Sequence, residues 1–194
     1  MDVMTAILTR RSEHFLTDPA PSDDELAYLL RGAATAPDHG TLKPWRWILL
    51  RGNDRAVLGD CLAGEHPGQA PDRMAARMLS APLLAVLVFA PRPNGKVPEW
   101  EQLAATSSMT HSLMLLLHAR GYGSMWRTGR LAQSTAARSL LRIDPAESLL
   151  GGLWMGTPDP AKERLRRPLE DVSHRISVFR ANEHAAMERI SRAL

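Results

Sequence analysis

The run Leu83–Ala90, Leu-Leu-Ala-Val-Leu-Val-Phe-Ala, constrains this chain more than any other stretch. A short, continuously apolar run of this kind reads as a strand buried in a core. Neither it nor Leu113–Leu117 approaches the ~20 residues needed to span a bilayer, so no membrane segment is expected. Helical spacing dominates the remainder. Val3, Met4, Ile7 and Leu8 predict a helix over 2–11. Ser22-Asp23-Asp24-Glu25 is a capping box for a helix carrying Leu26, Leu29, Leu30 and Ala33, stopped by Pro37. Short helices are expected at Asp54–Leu62, Pro71–Leu79 and Ser134–Leu141, and a long central one from Glu99 to Arg120, ended by Gly121. Trp45–Arg51, Leu149–Met155 and Ile176–Phe179 read as strands, Tyr122–Trp126 as a short strand or turn, and Asp159–Arg167 as a loop. Few strands separated by many helices give an α+β class with one mixed sheet.

At 194 residues the chain suits one domain, and 44% apolar with 23% charged residues is the balance of a globular protein. Asp2 and the pair Arg10-Arg11 exclude a secretory signal, so a cytoplasmic location is expected. Cys61 is the only cysteine, which excludes an intramolecular disulfide and a thiolate metal cluster. The net charge of +3 raises the question of nucleic acid. Apart from Arg164–Arg167 the basic residues are scattered, and no strand interleaves aromatic with basic residues, so nucleic acid is not expected. A basic lean also suits anionic small ligands.

Several catalytic signatures are missing. Gly121-Tyr122-Gly123 begins like a dinucleotide fingerprint, but Trp126 holds the third glycine position and a helix precedes it. There is no phosphate-binding GxxxxGK[ST] loop and no GxSxG elbow. No two histidines share i, i+4 spacing. His111 and His118 are seven apart with no nearby carboxylate, so no metal site is expected.

Five segments remain: Arg10-Arg11-Ser12; Ala36-Pro37-Asp38-His39 with Lys43-Pro44-Trp45-Arg46; Lys96–Gln102; Gly121–Gly129; and Gly151–Pro158. Arg10-Arg11-Ser12 offers two permanent charges and a hydroxyl, a grip for a phosphate dianion. Standing alone, it also reads as a helix end favoured by cations. His39 lies in a loop just past Pro37, where ligand contacts are frequent and solvated histidines more so. Trp100 and Trp154 read as packing residues, and Lys43 and Arg46 as solvated or interface charges.

In this order and at this spacing, over residues 1 to about 179, the segments resemble the nitroreductase superfamily, in particular its short YdjA-like subgroup. The resemblance implies a nitroreductase-like α+β fold, a central mixed or antiparallel sheet flanked by helices, in an intertwined homodimer. It implies FMN at the subunit interface, contacted by Arg10, Arg11, Ser12, Thr35, His39, Trp126, Arg127, Thr128 and Gly129, with His39 supplied by the partner. Thr35 departs from the arginine frequent at that position and cannot replace its charge. Gly129 permits close backbone approach, and Arg127 is expected to stabilise the negative charge of reduced flavin. The implied activity is oxidoreduction by a ping-pong scheme. NADH or NADPH, expected near Arg120 and Gly121, reduces the flavin, and a small nitroaromatic or quinone acceptor reoxidises it. No side chain is expected to be catalytic, and no metal is implied. The alternative is a flavin-binding carrier or sensor without efficient turnover. One domain is expected over 1–179. His184, Met187, Ile190 and Leu194 suggest a helical tail over 180–194, packing on the partner.

Overall fold

Strand β3 (Leu83–Phe89) is buried at every position, and its side chains alternate between two cores. Leu84, Val86 and Val88 enter one, while Leu83, Ala85 and Leu87 enter the other. A strand apolar on both faces requires cover on both sides, and helices provide it. Helices α2 (Asp23–Ala33) and α5 (Glu99–Ala119) cover one face through Leu26, Leu29, Met109, Leu113 and Leu117. Helices α3 (Asp54–Gly64), α4 (Pro71–Met78), α6 (Gly129–Gln133) and α7 (Thr135–Leu140) cover the other through Leu58, Leu62, Met74, Met78, Leu131 and Ala137. These features are those of a computed structural model that describes residues 1–65, 71–162 and 168–179.

Strand β5 (Ser148–Pro158) is the hub. It pairs with β3, with β4 (Gly123–Arg127) and, at its far end, with β1 (Leu16–Thr17), while β3 also pairs with β2 (Trp45–Arg51). All four ladders are antiparallel. The mixed sheet expected from the sequence is therefore antiparallel among the described residues, with one isolated parallel bridge, Ser12 to Ser124. Against β3, β5 carries one extra residue. Val86 faces Gly152 but Val88 faces Leu149, which leaves a bulge at Leu150 and Gly151.

Local signals set most boundaries. The Ser22 hydroxyl accepts from the Glu25 amide at 3.2 Å, and Asp23, Asp24 and Glu25 occupy the first turn of α2, where the helix dipole favours anions. Asp2 caps α1 (Val3–Thr9) by accepting from the Thr5 amide at 3.0 Å. Only Ala6 of α1 is buried; Val3, Met4, Ile7 and Leu8 are exposed.

The chain divides into two units, Met1–Lys162 and Glu163–Leu194. In the second, Asp171 accepts from the Ser173 amide at 2.9 Å at the start of a 3₁₀ turn, Ser173–Arg175. The strand expected at Ile176–Phe179 is not formed. A strand this short exists only against a sheet edge, and Ile176, Val178 and Phe179 are exposed. Trp100, expected to pack, is 71% exposed, whereas Trp154 is buried as expected. Arg46 is not a solvated charge: it donates from Nε and Nη2 to both Glu147 oxygens, at 2.7 and 2.6 Å. The expected tail helix lies outside the described residues, as does 163–167 of the expected loop.

Candidate functional site

Helix α1 ends at Arg10, whose amide donates to the Ala6 carbonyl at 2.9 Å before the backbone turns extended. Two contacts place the residues just beyond it. Thr9 Oγ1 and His118 Nε2 are 2.7 Å apart, tying this end to the last turn of α5. Ser12 bridges Ser124, and the Glu13 amide donates to the Ser124 carbonyl at 3.1 Å, so Arg10–Ser12 runs beside β4 in the same direction. Arg10, Arg11 and Ser12 are all partly buried, with Nη1 of Arg10 shielded from solvent.

His14, two residues beyond Ser12, and Arg127, three beyond Ser124 and so roughly 10 Å of strand away, line one open cavity of about 770 Å³ with Arg73, Arg77 and Arg130. Such a volume lies in the roughly 300–1,000 Å³ range of small-molecule sites. The Arg127 guanidinium sits 5.0 Å from the Trp154 ring centre. Burial lowers its pKa, and the charge of Arg77 lowers it further. Trp126 points the other way, donating from Nε1 to the Leu150 carbonyl at 2.9 Å. The bulge fixes this strand end. Gly151 has φ +93°, and a Cβ there would lie 2.1 Å from the Arg127 carbonyl oxygen and 2.6 Å from the Thr128 Cα. Only glycine lets β5 pass this close, so Gly151 positions Arg127 and Thr128. Thr128 and Gly129 then line a smaller pocket with Leu131 and Trp154.

Thr35 and His39 lie elsewhere. Glu25, in the first turn of α2, pairs with Arg120 at 3.2 Å, just past the end of α5. The two helices therefore run in opposite directions, and α2 packs along the C-terminal half of α5, where a Cβ on Gly32 would lie 3.1 Å from Leu116 Cδ1. Thr35 donates from Oγ1 to the Gly32 carbonyl at 2.8 Å and finishes α2. The Asp38 carboxylate accepts from the Leu42 and Lys43 amides at 3.2 and 2.8 Å. It holds a loop in which Thr41 and Lys43 adopt φ +51° and +47°, left-handed values that strain non-glycine residues. His39 Nδ1 lies 2.8 Å from Glu101 Oε1. Glu101 and His118 are seventeen residues apart on α5, a rise of about 25 Å. Within one chain, Arg10–Ser12 and His39 therefore mark opposite ends of the same helix.

Of the residues singled out by sequence, Arg10–Ser12 and Trp126–Gly129 come together along β4. Arg120 and Gly121 sit near the α1 end, with Arg120 engaged by Glu25. The Tyr122 hydroxyl also donates to Glu25, at 2.7 Å, a bond that raises its pKa. His14, Arg73 and Arg77 were missed. Arg73 and Arg77 carried a faint signal, two like charges four apart on one helix face. Among the described residues, no group of three His, Cys, Asp or Glu side chains could hold a metal.

The sequence model of the Nitroreductase family matches residues 7–157. YdjA of Escherichia coli strain K12, by its name a candidate NAD(P)H nitroreductase, is 31% identical over 163 residues, covering 81% of this chain and 89% of its own. The crystal structure of a nitroreductase-like protein from Bacillus cereus superposes with a TM-score of 0.81 at 26% identity, covering 92% of this chain and 96% of that one. A candidate nitroreductase from Desulfovibrio desulfuricans, crystallised in complex with FMN, superposes with a TM-score of 0.67 at 25% identity, over 87% and 93% of the two chains. With its sequence matched to the family model from residue 7 to 157, this chain belongs to the Nitroreductase family.

Proposed function

We propose that the protein is an FMN-dependent NAD(P)H oxidoreductase whose two flavin sites are each built from two copies of the chain. One observation carries the reading: the Ser12–Ser124 bridge sets Arg10–Ser12 two to three residues from a basic cavity large enough for a planar ring. The FMN bound by the Desulfovibrio relative supports it. The residues fit the cofactor. Arg10 and Arg11 match a phosphate dianion with permanent, fork-shaped donors, and Ser12 adds a hydroxyl. Gly129, at φ +40°, leaves room for a close backbone approach at the ring.

Bound FMN supplies hydride transfer between a reduced nicotinamide and an oxidised acceptor. The chain's own part is to hold and tune. Arg127, backed by Trp154 and crowded by Arg77, favours an anionic neighbour at the ring end of the cavity. NADH or NADPH enters near Arg120 and Gly121 and leaves before a nitroaromatic or quinone acceptor arrives, a ping-pong order. No side chain need carry a proton.

Two copies are required because His39 sits at the opposite end of α5 from Arg10–Ser12. A second copy with its α5 antiparallel brings the partner's loop to that end. The exposed apolar residues of α1, together with Trp100, supply surface for such an interface. Ile176–Phe179, extended at Ile176 and exposed, suits a strand added to the partner's sheet.

The test is to purify the protein, release any flavin by heat, identify it by chromatography, and titrate the holoprotein with NADH and NADPH under nitrogen. The expected outcome is FMN, bleached by at least one donor and recoloured by an added quinone. Recovery of FAD, or a yellow protein that neither donor bleaches, contradicts the proposal; the second result favours a carrier or sensor.

A further inference from the structure

The cavity beside Arg127 carries more positive charge than the flavin reading uses. Arg10, Arg11 and Ser12 take the phosphate, and Arg127 faces the ring. Arg73 and Arg77 remain on one face of α4, four residues apart, where like charges repel. Neither has an ion-pair partner among the described residues. No described carboxylate lines the cavity. A smaller adjoining pocket shares Met74, Arg77, Arg127 and Arg130 with it, and Leu62, Met78, Leu131 and Trp154 complete that pocket's apolar floor. A site with an apolar floor and a rim of two arginines suits a planar apolar body bearing an anionic group, which the guanidinium forks bind in bidentate fashion.

Resting on the proposed function, we infer that Arg73 and Arg77 select electron acceptors that carry a carboxylate. The acceptor's ring lies toward the floor at Met74 and Trp154, and its carboxylate meets the two guanidinium groups. A phosphate of the nicotinamide donor has the same anionic chemistry and is the alternative occupant, which the experiment separates.

The probes are 4-nitrobenzoate and its neutral counterpart 4-nitrobenzamide. For either, one NAD(P)H supplies a hydride and solvent a proton; the nitro group gains two electrons, loses one oxygen as water and becomes nitroso. The holoprotein is expected to show kcat/KM at least tenfold higher for the benzoate at low salt, with the advantage shrinking as salt rises. In the Arg73→Ser, Arg77→Ser double variant, benzoate turnover should fall about tenfold more than benzamide turnover. Both side chains are exposed, so their replacement leaves the core intact. Calorimetric titration with benzoate and benzamide reads the same preference without turnover, and so separates this inference from the flavin reading. A protein that binds benzoate selectively but holds no FMN would fail the proposed function alone. Equal handling of the two probes by an FMN-loaded enzyme would overturn the inference. So would a double variant that changes only the KM for NADH or NADPH.

Discussion

Arg10 shows how much a single residue conveys in this chain. Its type and neighbours, Arg11 and Ser12, suit a phosphate dianion with permanent planar cations beside a hydroxyl, a reading that the family resemblance set above a plain helix end. The structure adds that the group lies where α1 meets the edge of β4, beside the cavity. Arg10→Ala should weaken FMN binding by about 1.5–3 kcal/mol, the usual worth of a hydrogen bond to a charged group. The fold should survive, because Arg10 ends a helix and stays outside both cores. Equilibrium dialysis against FMN, with circular dichroism as the folding control, measures this; undiminished affinity would remove Arg10 from the site. The meeting of His14, Arg73 and Arg77 with Arg127 was not legible for a physical reason: it depends on how α4 and the segment after α1 pack against the sheet, which no local spacing encodes. Gly151 was visible only as part of a motif. Its purpose, passing the Arg127 carbonyl, appears once the bulge in β5 is seen.

At the scale of elements, whatever had a strong period or a cap was legible. Trp45–Arg51, Leu83–Phe89 and the 21-residue α5 stand where expected. Strand β1 has two residues and α6 has five, too few for any periodicity to register. Helix α7 was foreseen from Ser134, whose Oγ accepts from the Ala137 amide at 2.9 Å. Its second anchor was not foreseen. Glu65, after the end of α3, accepts from the hydroxyls of Ser134 and Thr135 and from the Ala136 amide. These bonds hold its pKa at about 2, below the ordinary 4.5, with the Ser134 bond the largest cause. Because the folded-state value is the lower one, the stabilisation is complete above the unfolded value of about 4.5. It is lost as pH falls from there toward 2. Glu65→Gln should therefore cost about 1 kcal/mol at pH 7, like the loss of a helix cap. The gap from the unsubstituted protein should close between pH 4.5 and 2. Denaturant titrations of both proteins at pH 7, 4 and 2.5 read this directly; a gap independent of pH would show that ionisation of Glu65 is immaterial.

At the scale of the whole molecule, the sequence offered an assembly only through the family resemblance. The family resemblance implied a flavin site with His39 supplied by a partner, and the course of α5 sets His39 and Arg10–Ser12 at opposite ends of one helix within a chain. Arg10–Ser12 is tied to the last turn through His118, and His39 to the first turn through Glu101. The most direct test is complementation between Arg10→Ala and His39→Ala chains, each of which should bind FMN weakly by itself. Unfolded together and refolded, they form heterodimers in which one pocket combines an intact Arg10 with an intact His39 of the other chain. Dialysis should then recover one tight FMN site per heterodimer, in particles of twice 21.4 kDa by sedimentation. No recovery of tight binding, or a 21.4 kDa monomer that keeps its flavin, would contradict a site shared between chains.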